Sequence, residues 1–222
     1  IDVDGVKIGC RLYISGKDSP SILYFHGNGE IVSDHDWIAP FFNKRRINLF
    51  VADYRGYGFS DGVPSMSRVI LDAHPIFHEF KKMIKDRGYS DNIFVMGRSL
   101  GSIPAVELAF HYQDDIQGLI IESGVANTFS HLSDLFGIHI DGSLLKKMEK
   151  ESNKEKIRSI RIPTLIIHGE YDSIIPLSEG RELYVNSGAN DKKFVLISGA
   201  NHNSILIVDP ERYFNEIERF VR

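Results

Sequence analysis

The stretch Ile93-Phe94-Val95-Met96-Gly97-Arg98-Ser99-Leu100-Gly101-Ser102-Ile103 runs from an apolar strand-like segment, through a serine with glycines two positions to either side, into a helix-prone segment ending near Phe110. A serine at a sharp strand-to-helix turn is held in a strained backbone conformation, and side chains two positions before and after it would collide. Only small residues fit there, which accounts for Gly97 and Gly101. The turn is expected to expose the Ser99 hydroxyl above a sheet and to aim the Leu100 N–H toward any oxygen bound beside it. Pro104 is compatible with the following helix because it falls in the first turn, where its missing N–H costs nothing.

Outward from this point, short β-rich apolar runs alternate with segments of helical period, the pattern of a mostly parallel sheet covered on both faces. Asp4-Gly5 marks a tight hairpin turn between Ile1 to Val3 and Val6 to Tyr13, so the sheet should begin with antiparallel strands. Ile22 to His26, Ile47 to Asp53, Ile93 to Met96, Gly118 to Ile121, Leu165 to His168 and Phe194 to Ile197 are the expected core strands, each mainly apolar because both faces are covered. Val69, Ile70, Ala73, Ile76, Phe77, Phe80, Met83 and Ile84 recur at helical spacing, as do Tyr213, Phe214, Ile217, Phe220 and Val221 after Pro210. The chain of 222 residues reads as one α/β domain, 1–222, with residues 127–160 inserted as a short helical lid. Phe129, Leu132, Leu135 and Phe136 in that insert would gather on one helical face and are the expected lining of a substrate pocket.

Lys and Arg number 26 against 30 Asp and Glu, a net charge of −4, so no overall positive field exists to hold nucleic acid. The single cysteine, Cys10, excludes an internal disulfide and a thiolate zinc cluster, and fits a reducing compartment. No apolar run approaches the ~18 residues of a membrane span, and no signal segment precedes the first strand. A soluble, cytoplasmic protein is therefore expected, although a signal upstream of Ile1 would lie outside this sequence.

A serine hydroxyl is inert without a base, and among nine histidines His202 is the best placed, just past the last strand in Gly199-Ala200-Asn201-His202-Asn203. The base needs an orienting acid, for which Asp172, in the turn after Leu165 to His168, is preferred over Glu170 and Glu122. The order Ser99, Asp172, His202 is that of one of the known serine-hydrolase lineages. The Asn28 N–H, in the glycine turn Phe25-His26-Gly27-Asn28-Gly29, and the Leu100 N–H would form the oxyanion hole. His26 and His168 also end strands and are expected to shape turns, whereas His35, His111, His131 and His139 read as surface residues. His74 and His78 lie four apart on a helix, but no HExxH motif, cysteine pair or third ligand accompanies them, so neither metal nor cofactor is expected.

The segments His26 to Glu30, Asp53 to Gly58 and Gly97 to Ser102, with His168 to Asp172 and His202, resemble the α/β-hydrolase superfamily, in particular its compact serine hydrolases with HGNxG, DYRGYG and GRSLGS motifs. The resemblance implies a sheet of about eight strands with the second antiparallel, a serine nucleophile and no cofactor. The segment Glu122 to Ala126 departs from it in lacking the proline and aromatic often found there. The expected activity is hydrolysis of carboxylic esters or thioesters of short to medium acyl chains through an acyl-enzyme, with a small-molecule substrate as partner. A serine aminopeptidase acting on short peptides is the alternative, motivated by Glu30, Asp34 and Asp36 as holders of an ammonium group. A non-catalytic ligand-binding domain is the third reading. Oligomeric state is not encoded in any of these features.

Overall fold

A computed structural model describes residues 1–127 and 151–222. Asp4 and Gly5, at φ of 53° and 77°, turn strand β1 (Asp2–Val3) back onto β2 (Val6–Lys7). This hairpin stands apart from the main sheet, because after Ile8 the Gly9 N–H turns aside to Ser60 Oγ at 2.9 Å. The main sheet has seven strands: β3 (Cys10–Tyr13), β4 (Ser21–Phe25), β5 (Asn48–Ala52), β6 (Ile93–Arg98), β7 (Gly118–Glu122), β8 (Thr164–Gly169) and β9 (Lys192–Ile197), in the order β3-β5-β4-β6-β7-β8-β9. Only β3 is antiparallel to its neighbour. The chain leaves β4 toward β5 on one side and returns to β6 on the other. The loops after β4 and β6 therefore part at the strand C-termini, the switch point where sheets of this kind open a crevice.

The helices are α1 (Ala39–Lys44), α2 (Met66–Leu71), α3 (Ala73–Asp86), α4 (Ser102–His111), α5 (Asn153–Ile157), α6 (Leu177–Asn186), α7 (Ile205–Val208) and α8 (Pro210–Val221). Strand alternation sends neighbours to opposite faces: Leu23 and Phe25 join Val69, Phe77, Val106 and Leu183 in one core, while Ile22 and Tyr24 join Phe42, Phe214 and Ile217 in the other. The single helix expected across Val69 to Ile84 is broken at Asp72. Pro75 has no N–H to offer the Leu71 carbonyl, so the ladder lapses there.

Of the expected insert 127–160, the two flanks are described. Asn153 Nδ2 donates to the Val125 carbonyl at 2.8 Å and Lys154 N to Ala126 at 3.2 Å, which sets the outgoing and returning strands of chain side by side. Glu179 Oε2 accepts from the Ala126 and Asn127 N–H groups at 2.7 and 2.9 Å. Phe129, Leu132, Leu135 and Phe136 lie outside the described residues. Among the described residues no helix is long and apolar enough to cross a membrane.

Candidate active site

Ser99 follows β6 at φ of 51°, a left-handed conformation that a non-glycine residue adopts only under constraint. The constraint is steric. A Cβ on Gly97 would come within 2.1 Å of the Gly101 carbonyl oxygen, and one on Gly101 within 2.0 Å of the Phe25 carbonyl oxygen. The second approach is possible because the elbow presses against the end of β4, which brings the Gly27-Asn28-Gly29 loop beside it. Ser102 Oγ braces the turn, donating to the Ser99 carbonyl at 2.6 Å and accepting from Val125 N at 3.1 Å.

His202 Nε2 stands 3.0 Å from Ser99 Oγ, and His202 Nδ1 stands 2.7 Å from Asp172 Oδ2. All three residues are buried. Asp172 Oδ1 also accepts from the Ile174 and Ile175 N–H groups at 3.0 and 2.8 Å. Burial opposes ionisation of this carboxyl, but His202 and the Ile175 N–H outweigh it and hold the group below its ordinary value. An imidazole bonded on one side to an ionised carboxylate and on the other to a hydroxyl can accept the hydroxyl proton while keeping a fixed orientation. The two other acids considered for this role are engaged elsewhere. Glu170 Oε2 accepts from Gly199 N at 2.9 Å, and Glu122 pairs with Arg98 and accepts from Tyr213 OH at 2.6 Å.

The loop carrying Asn28 is fixed at several points. His26 Nε2 lies 3.1 Å from Asp53 Oδ1, which also accepts from Val32 N at 2.8 Å, and Tyr54 OH donates to the His26 carbonyl at 2.7 Å. Tyr57 OH donates to Asn28 Oδ1, and Glu30 Oε2 accepts from Gly27 N at 3.0 Å. Leu100 is fully buried at the start of the 3-10 turn Ser99–Gly101 that leads into α4. Arg55 forms a buried pair with Asp72 and reaches the Val3 carbonyl at 3.2 Å.

Sequence reading did not anticipate the role of Arg98. Its guanidinium donates to the His202 carbonyl at 2.8 Å, to Asn203 Oδ1 at 2.9 Å and to Glu122 Oε1 at 3.2 Å, and pairs with Glu30. One side chain thus ties together the histidine loop, the end of β7 and the loop after β4. Beside it a cavity of about 210 Å³ opens between Glu30, Trp37, Arg98, His202, Ile205 and Leu206. The acids expected to await an ammonium already have partners: Glu30 has Arg98, Asp34 Oδ2 accepts from Ile31 N at 2.9 Å, and Asp36 holds Arg11 and Tyr13.

One histidine reading changes. His35 is buried, not at the surface, packed edge-on against Tyr24, and its burial lowers its basicity. His168 shapes a turn as expected: it is buried, with Nε2 2.9 Å from the Ile175 carbonyl, and supports the turn that presents Asp172.

Among known proteins, the chain is 31% identical over 222 residues to Protein bem46 of Schizosaccharomyces pombe, covering 93% of this chain and 69% of that protein. In fold it is similar to Est1E of Butyrivibrio proteoclasticus solved with bound ferulic acid (TM-score 0.82, 20% identity, 99% of this chain and 96% of that one). It is similar also to the Pyrococcus furiosus esterase Pf2001 (TM-score 0.78, 19% identity, 98% and 88%). The family model Hydrolase_4, described as serine aminopeptidase, S33, matches residues 16–138 and 143–210. With its sheet, its elbow and this match, the chain belongs to the Hydrolase_4 family of α/β hydrolases.

Proposed function

We propose that the protein is a serine hydrolase of carboxylic esters or thioesters bearing short to medium acyl chains. The observation that carries this reading is the unbroken hydrogen-bonded series from Ser99 Oγ through His202 to Asp172. Ser99 attacks the acyl carbonyl as His202 Nε2 takes its proton, and Asp172 stabilises the imidazolium that results. The Asn28 and Leu100 N–H groups receive the oxyanion of the tetrahedral intermediate. His202 then protonates the leaving alcohol or thiol, and water, activated by the same imidazole, releases the acid from Ser99. A ligand-binding domain would have no use for this arrangement.

The family description favours an aminopeptidase as the second reading. Against it, Glu30, Asp34 and Asp36 are each paired within the protein, so none is free to take the amine of a peptide. The cavity beside His202, about 210 Å³, is below the ~300–1,000 Å³ of sites for drug-sized ligands and suits a small leaving group.

A panel of acyl esters of graded chain length, matching thioesters and aminoacyl amides tests the reading. The expected result is kcat/KM that climbs with each added methylene, up to ~0.8 kcal/mol or several-fold apiece, then falls beyond medium length. Turnover confined to aminoacyl amides would replace it with the peptidase.

A further inference from the structure

The end of α4 distant from Ser99 carries a second set of chemically active side chains that takes no part in the site above. Glu107 and His111 lie one helical turn apart on α4, and His74 of α3 faces them. Glu107 Oε1 is 3.3 Å from His74 Nε2 and 3.1 Å from His111 Nε2, and the three ligand atoms all lie within 4.8 Å of one another. We propose that His74, Glu107 and His111 form a zinc site that braces α3 against α4.

Three arguments carry this assignment. Donor atoms bound about 2.0–2.1 Å from a tetrahedral zinc stand about 3.3–3.4 Å apart, so the two shorter separations need almost no adjustment to become edges of the coordination tetrahedron. Two imidazoles and one carboxylate form a donor set suited to zinc and poorly suited to magnesium or calcium. The surroundings then orient the ligands. His74 Nδ1 is 2.8 Å from Tyr112 OH, which is 3.2 Å from His78 Nε2. If Nδ1–H donates to the tyrosine oxygen and the hydroxyl proton goes to His78, the His74 Nε2 lone pair is left pointing at Glu107, where a cation would accept it. Lys156 binds the other carboxylate oxygen, Oε2, and leaves Oε1 for the metal.

Access is open as well. A cavity of about 370 Å³ bordered by Glu107, His111, Glu155 and Lys156 adjoins the cluster and admits a water as fourth ligand. The site sits roughly 15 Å along α4 from the elbow, given its rise per residue. Its role is structural, and it stands or falls independently of the esterase reading. In the sequence His74 and His78 are spaced four apart on one helix, but His78 turns to Tyr112. Glu107 and His111 have the same i, i+4 spacing on α4.

The test uses the full chain without a histidine tag, stripped with chelator and titrated with zinc chloride by calorimetry and thermal unfolding. One zinc per chain is expected, with Tm rising by roughly 5–10 °C when free zinc reaches a hundred times Kd. Magnesium and calcium should give no shift. His111→Ala, at a half-exposed position that tolerates truncation, should weaken binding at least a hundredfold, and Tyr112→Phe about ten- to a hundredfold by releasing His74 Nδ1. Wild type that binds no zinc would overturn the proposal. So would His111→Ala and His74→Ala variants that bind it as wild type does.

Discussion

Asp172 shows how one residue's environment settles its chemistry. Its two oxygens divide their work, Oδ2 toward His202 and Oδ1 toward the Ile174 and Ile175 N–H groups, so the carboxylate is both held in place and kept ionised. A carboxyl whose folded pKa lies below its unfolded value stabilises the fold above the ordinary value of about 3.9, and that contribution disappears as pH falls through the lowered folded value. Chemical denaturation of wild type and Asp172→Asn at a series of pH values should therefore show a constant stability gap near neutrality that closes under acid. A gap that widened in acid would reverse the sign assigned here. The same substitution should lower kcat by about 10⁴, the scale seen when a triad imidazole loses its orienting carboxylate. At this scale the sequence was informative where a residue sits at a strand end: His202 and Asp172 follow β9 and β8, and that placement put them among the few candidates for base and acid. It was uninformative for His35, whose burial depends on Tyr24 across a turn and leaves no local mark.

Elements are joined here by side chains that no local pattern reveals. The partners of Arg98 lie 68, 24 and 104 positions away in Glu30, Glu122 and His202, so the clamp becomes visible only when the three loops are placed together. Its removal should act in two separable ways. Arg98→Ala leaves Glu122, only 2% exposed, without its cation, which should cost about 3–5 kcal/mol. It also unties the histidine loop from the loop after β4, which should reduce kcat. Adding Glu122→Gln to Arg98→Ala should restore much of the stability by removing the stranded charge, while kcat stays low. Recovery of kcat together with stability would mean that Arg98 serves only the fold. The break between α2 and α3 belongs to this scale too: Pro75 was present in the sequence, but the apolar period runs straight through it, and period alone suggested one helix.

Across the whole molecule, seven strands separate two apolar cores, and the strand C-termini at the switch point between β4 and β6 meet in one place. The parallel sheet was legible because strands covered on both faces are mainly apolar, and all six expected core strands are present. The hairpin was legible from Asp4-Gly5, but its separation from the sheet was not, since it depends on a hydrogen bond from Gly9 to Ser60, 51 residues on. We propose that this platform arms Ser99 as a nucleophile. A fluorophosphonate probe, which reacts only with an activated serine, tests it directly. Wild type should be labelled rapidly and with one probe per chain, while Ser99→Ala should take none and His202→Ala should react slower by several orders of magnitude. Equal labelling of wild type and Ser99→Ala would contradict the account.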